Sequence, residues 1–164
     1  MIKRLMHLNV ISSDIEKSLH FYVDLLGGHI LGNYDKEVII NRKVKSRGVG
    51  IALGLGETAE YKGWLIRFGY NKSATVVDII QWTNPPSAGK PYEKLNNVGI
   101  VRMAFEVDDI DKMYQDLKAK GVKFISPPQN ADLAPDRPVN GQIRFATCLD
   151  PDGVAVSLEQ FITS

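Results

Sequence analysis

In the stretch GIVRMAFEVDD, Gly99 to Asp109, apolar residues alternate as they do in a half-buried β-strand, and Arg102 stands among them. A guanidinium stays protonated and offers five N–H donors, so on an open face it suits a carboxylate, carbonyl or enolate oxygen. Other strand-like runs bring further reactive side chains to one face at the same period of two. Leu5, His7, Asn9 and Ile11 share a face, as do Asp78, Ile80 and Trp82, then Arg102, Ala104 and Glu106, and Ser157, Glu159 and Phe161. The intervening positions are Leu8 and Val10, Val77 and Ile79, Val101, Met103, Phe105 and Val107, and Val154, Val156 and Leu158. Those apolar faces must be covered by helices, which leaves the mixed polar and aromatic faces for a cavity. An imidazole and carboxylates can move protons there, and a guanidinium can hold an oxyanion.

The elements that position these residues occur twice. HLNVISSDIEKSLHFYVDLLGG opens with alternation, and Ser13 with Glu16 forms a capping-box pattern. Ile15, Leu19, Tyr22 and Leu26 then recur at helical spacing, and Gly27 supplies a left-handed stop. RMAFEVDDIDKMYQDLKAKG repeats the plan with an aspartate cap at 108 or 109, a face of Ile110, Met113 and Leu117, and Gly121 as the stop. An offset of 95 sets Asp14 on Asp109 and His7 on Arg102. Helices are expected over Ser13–Leu26 and Asp109–Lys120. Strands are expected at EVIINRKV, GVGIALGL, WLIRFGY and TVVDIIQW in the first half, and at VKFIS, QIRFATCL and VAVSLEQF in the second. TNPPSAGKPYEKLNN reads as the link between halves, and PPQNADLAPDRPVNG as a long loop, a connector or a lid.

Composition bounds the rest. The 164 residues carry a formal net charge of +1 and no basic run, so neither nucleic acid nor a membrane is an expected partner. A single cysteine, Cys148, excludes an internal disulfide, and MIKRLMHLNV lacks the pattern of a signal peptide, which predicts a cytoplasmic chain.

The first repeat, VVDIIQWTNPP, MAFEVDDIDKMYQDLKAKGV and FATCLDPDGVAVSLEQF together resemble the vicinal oxygen chelate superfamily, which includes glyoxalase I, bleomycin-resistance proteins and extradiol dioxygenases. The likeness spans nearly the whole chain. It implies an α+β fold of two βαβββ modules whose mostly antiparallel sheets form a cup, here residues 1–84 and 99–164 joined by a linker at 85–98 in one compact unit. It also implies a small-molecule site, commonly built on a divalent metal with four side-chain ligands, and often a homodimer.

Carried over position by position, the family's ligands fall on His7, Asp78, Arg102 and Ser157. A guanidinium cannot coordinate a metal, and a serine hydroxyl is a poor ligand for a divalent ion. With His7 neutral, Asp78 at minus one and Arg102 at plus one, the four positions balance without any ion. The expectation is therefore no cofactor, with Arg102 standing in for the metal; a divalent metal on His7, Asp78 and Glu159 is the alternative. Arg102 could pair with Asp78 or Glu159, as an ion bridge or as a ligand-binding cation. His7 is a base or a backbone-bonded histidine. Trp64, Tyr70, Trp82 and Phe161 form an aromatic wall or part of the core. His20 and His29 read as surface or packing residues, and Cys148 as unreactive.

Two functions follow. In one, His7, Asp78, Arg102 and Glu159 are catalytic and Asn9, Trp82, Ser157 and Phe161 bind the substrate of a lyase or isomerase. In the other, the same cup sequesters an antibiotic or natural product, as bleomycin-resistance proteins do.

Overall fold

The computed structural model describes residues 1–71, 73–133 and 141–162. The chain divides into two compact units, Met1–Gly89 and Lys90–Ser164. Each is a five-stranded sheet with helices beside it, an α+β arrangement in which the first strand lies parallel to the last.

In the first unit the order of elements is β1 (Leu8–Ile11), α1 (Ile15–Leu19), β2 (His29–Ile30), α2 (Lys36–Asn41), β3 (Val44–Lys45), α3 (Gly48–Ala52), β4 (Glu60–Arg67) and β5 (Val76–Asn84). The sheet runs β1-β5-β4-β2, with β3 also on β4. In the second unit, β6 (Arg102–Glu106) leads into α4 (Ile110–Ala119), followed by β7 (Lys123–Phe124), β8 (Gln129–Leu133), β9 (Gly141–Leu149) and β10 (Ala155–Ile162). Its sheet runs β6-β10-β9-β7, with β8 also on β9.

One face of each sheet is sealed as the alternation demands. Ile15, Leu19, Phe21 and Tyr22 are buried, as are Val10, Ile66, Val77 and Ile79 in the first sheet. Ile110, Tyr114 and Leu117 of α4 are likewise buried, with Ala146, Cys148, Val156 and Leu158 in the second. Burying side chains of this size is the main favourable term in folding. A glutamine in the last strand ties each sheet to the start of its helix. Gln81 accepts from the Ile15 amide at 3.2 Å and donates to the Ser13 carbonyl at 2.8 Å. Gln160 accepts from the Ile110 amide at 3.0 Å.

Several local expectations are corrected. The first helix is capped by Asp14, whose carboxylate accepts from the amides of Glu16 and Lys17, rather than by Ser13. Its α-helical part ends at Leu19, and a π-helix over His20–Leu25 continues to Gly27, which has φ +73°. The segments expected as strands at EVIINRKV and GVGIALGL form α2, ended by β3, and α3. Their β-branched residues favour strands only weakly, and an Asp35 cap donated to by the Val38 amide at 2.8 Å fixes α2 as a helix. At α3 the chain folds back so closely that a Cβ on Gly50 would lie 2.6 Å from the Gly56 carbonyl oxygen. Within the long loop PPQNADLAPDRPVNG, Gln129–Leu133 is strand β8, and residues 134–140 lie outside the described residues. No helix among the described residues is long and apolar enough to cross a membrane.

The caps give a direct check of this reading. Asp14→Ala and Asp109→Ala should each lower stability by about 1 kcal/mol in urea denaturation, because each leaves a first-turn amide without its acceptor.

Candidate functional site

The free face of the first sheet divides into a closed apolar end and a polar end. At the apolar end Ile80 and Trp82 are buried against Ala59, with Leu55 and Tyr61 packed on them, and the Tyr61 and Trp82 ring centroids lie 5.4 Å apart. Trp82 is only 7% exposed, so its own chain covers it and the indole serves the core. Trp64 is engaged too: its Nε1–H donates to the Leu31 carbonyl, and its ring lies tilted against that of Tyr34 with centroids 4.3 Å apart.

At the polar end the parallel β1–β5 pairing sets Asn9 beside Asp78. The Asn9 amide donates to Asp78 Oδ2 at 3.3 Å. Asp78 is half-buried, and burial pushes its pKa above the ordinary 3.8, against the lowering effects of the nearby His7 charge and the Asn9 hydrogen bond. His7 itself lies just before β1. The Tyr61 phenol is also pushed up, by burial first and then by the negative charge of Asp78, with Arg42 opposing. A desolvated carboxylate with one amide donor beside it is a group able to take and return a proton.

On the second sheet Arg102 Nη1 donates to Glu159 Oε1 at 2.7 Å, so its partner is Glu159. The pair is open to solvent on the arginine side, with side-chain exposures of 42% and 18%. Ser157 is wholly buried and its hydroxyl is bonded to Thr147 Oγ1 at 2.7 Å across the β9–β10 ladder. Phe161 stands exposed at the end of β10. Cys148 is buried and its thiol is pushed up to about 12 by burial.

Sequence reasoning passed over one group on the first sheet. Arg67, at the end of β4, is paired across the ladder with Val76 and with His29. Its signal was available: WLIRFGY carries an arginine inside an apolar alternating run, as GIVRMAF does.

A family model described as the Glyoxalase/Bleomycin resistance protein/Dioxygenase superfamily matches residues 4–158. The chain belongs to that superfamily. It is 27% identical over 158 residues to the uncharacterized protein YwkD of Bacillus subtilis (strain 168), covering 96% of this chain and 97% of that one. Among solved structures, a glyoxalase family protein from Bacillus cereus is similar with a TM-score of 0.76 at 15% identity, covering 99% of this chain and 97% of its own. A glyoxalase/dioxygenase from Nostoc punctiforme is similar at 0.58 and 15%, covering 98% and 92%. At these identities the structural likeness is one of fold.

The superfamily's usual metal does not fit the donors at the carried-over positions. A guanidinium occupies one, and at another the Ser157 hydroxyl is sealed against Thr147. The alternative carboxylate, Glu159, is held by Arg102. Among the described residues no three His, Cys, Asp or Glu side chains gather as ligands.

The raised pKa of Asp78 has a consequence for stability. A carboxyl that binds its proton more tightly when folded loses stability as pH rises from the unfolded value of 3.8 through the folded one, and the loss persists above it. Asp78→Asn should therefore melt at a higher temperature than wild type at pH 7, and the difference should vanish below pH 3.8. Wild type melting above the variant at pH 7 would contradict the burial argument. Arg102→Met, by contrast, removes a half-exposed ion pair and should change unfolding free energy by no more than about 1 kcal/mol.

Proposed function

We propose that the chain is a small-molecule enzyme of the lyase or isomerase type that works by proton transfer at carbon, with no divalent metal. Asp78 carries the reading: a carboxylate on the unsealed face of its sheet, desolvated enough to raise its proton affinity, with His7 and Asn9 beside it. Its carboxylate takes a proton from a carbon next to a carbonyl, and the C–H electron pair moves into the carbonyl to form an enolate. Return of the proton to another position gives an isomerase; expulsion of a leaving group by the enolate gives a lyase. On the second sheet Arg102 is a half-exposed cation that gives one Nη1–H to Glu159. The homodimer that the family resemblance implies and the cytoplasmic location expected from the sequence are part of this proposal.

Proton transfer at carbon leaves a readable trace. Short ketones, 2-oxo acids and 2-hydroxy acids incubated with the protein in deuterated water should exchange a carbon-bound proton in at least one case, followed by NMR. Asp78→Asn should slow that exchange by about a hundredfold or more, and the wild-type rate should fall as pH drops through the raised Asp78 pKa. The activity should survive chelator treatment and dialysis. A small molecule that co-purifies and binds tightly, with no exchange into any compound of the panel, would replace this reading with sequestration.

A further inference from the structure

The polar end of the first sheet contains a cation, Arg67, that no described residue of its own unit neutralises. Arg67 Nε–H is buried and has no hydrogen-bond partner among the described residues, and Arg67 forms no ion pair among them. Asp78 is near it in register. Arg67 is opposite Val76, and Asp78 is two residues farther along β5, opposite Leu65. Partners across an antiparallel ladder share a face, so Arg67, Leu65, Val76 and Asp78 all lie on the unsealed side, with the two charged residues as diagonal neighbours about 7–8 Å apart at the backbone. Asp78 nevertheless takes its hydrogen bond from Asn9, and Arg67 is absent from the causes that shift its pKa. The guanidinium is therefore not committed to Asp78.

His29 completes the surroundings. It is the β2 residue directly opposite Arg67, and its ring lies 5.3 Å from that of the exposed Tyr70. An imidazole N–H and a guanidinium fork thus sit at one edge of the polar end, and the carboxylate of Asp78 lies farther in. The two terminal N–H groups of a guanidinium can hold an in-plane carboxylate through parallel N–H···O bonds.

We propose that Arg67, with His29 beside it, binds a carboxylate of the small molecule on which Asp78 acts. The proposal rests on the proton-transfer reading only for its substrate class, which it narrows to carbonyl compounds bearing an acid group. A carboxylate is favoured over a phosphate because a single guanidinium matches one negative charge.

The test uses the full chain and matched probes: short 2-oxo and 2-hydroxy carboxylates, the neutral amide of each, and inorganic phosphate, all by isothermal titration. At least one acid should bind, with its amide at least about tenfold weaker. Arg67→Met should bring the acid's affinity down to that of its amide and leave the amide unchanged. In the exchange assay the same variant should raise KM by a similar factor, with the saturated rate within a few-fold of wild type. Arg67→Lys keeps the charge without the planar fork and should lose several-fold, which serves if Arg67→Met fails to fold.

Equal binding of acid and amide by wild type overturns the proposal without any variant. So does the failure of every acid to bind at millimolar concentration, tighter binding of phosphate than of any carboxylate, or unchanged acid binding in both Arg67 variants. If the acids bind through Arg67 but exchange no proton, and Asp78→Asn binds them as wild type does, the anchor stands and the proton-transfer reading falls.

Discussion

Each half of this chain depends on one pairing, the parallel contact between its first strand and its last. Every other strand in the sheets is joined antiparallel, but β1 meets β5 and β6 meets β10 in the same direction, with the helix that follows the first strand lying over the shared face. Period-two geometry does the rest. Val10, Val77 and Ile79 go under one helix, and Val156 and Leu158 under the other, which turns Asn9, Asp78, Arg102 and Glu159 to the opposite side. The glutamines at 81 and 160 fix this relation by holding the first amides of the two helices from the last strand.

The same scaffold has been filled differently in the two halves. DIIQW and SLEQF occupy equivalent stretches of β5 and β10, and each places its glutamine at the helix start. Asp78 thereby corresponds to Ser157, and Ile80 to Glu159. In the first unit the carboxylate is half-buried with a neutral amide beside it; in the second the carboxylate is two residues farther along and bound to a guanidinium. A carboxylate losing water with no cation bonded to it gains proton affinity, as Asp78 does. The chemistry of proton transfer therefore belongs to the first sheet and that of charge binding to both.

Much of this was legible because alternation is a geometric property of strands that no tertiary contact reverses. The faces of β1, β5, β6 and β10, the stops at Gly27 and Gly121, and the aspartate cap of α4 all follow from local spacing. What escaped was set by contacts between distant residues. VIIN and GVGIA are rich in residues that also suit strands, and only the Asp35 cap and the close packing around Gly50 make them helices. Trp82 shares a face with Asp78, yet Ala59 and Leu55, from the turn after α3, cover it. Ser157 shares a face with Glu159, yet Thr147 on the neighbouring strand consumes its hydroxyl. Arg67 was visible as a charge in an apolar run; that its Nε–H has no hydrogen-bond partner among the described residues was not, since that depends on the residues packed around it.

The account turns on the proton affinity of Asp78, which can be read without knowing any substrate. Carbon-13 NMR of the side-chain carboxyl, titrated in the folded wild-type protein, should give a midpoint above 3.8, because burial outweighs both the His7 charge and the Asn9 hydrogen bond. A midpoint at or below 3.8 would mean that the carboxylate is stabilised as an anion, and Asp78 would then be a structural acceptor rather than the group that moves the proton.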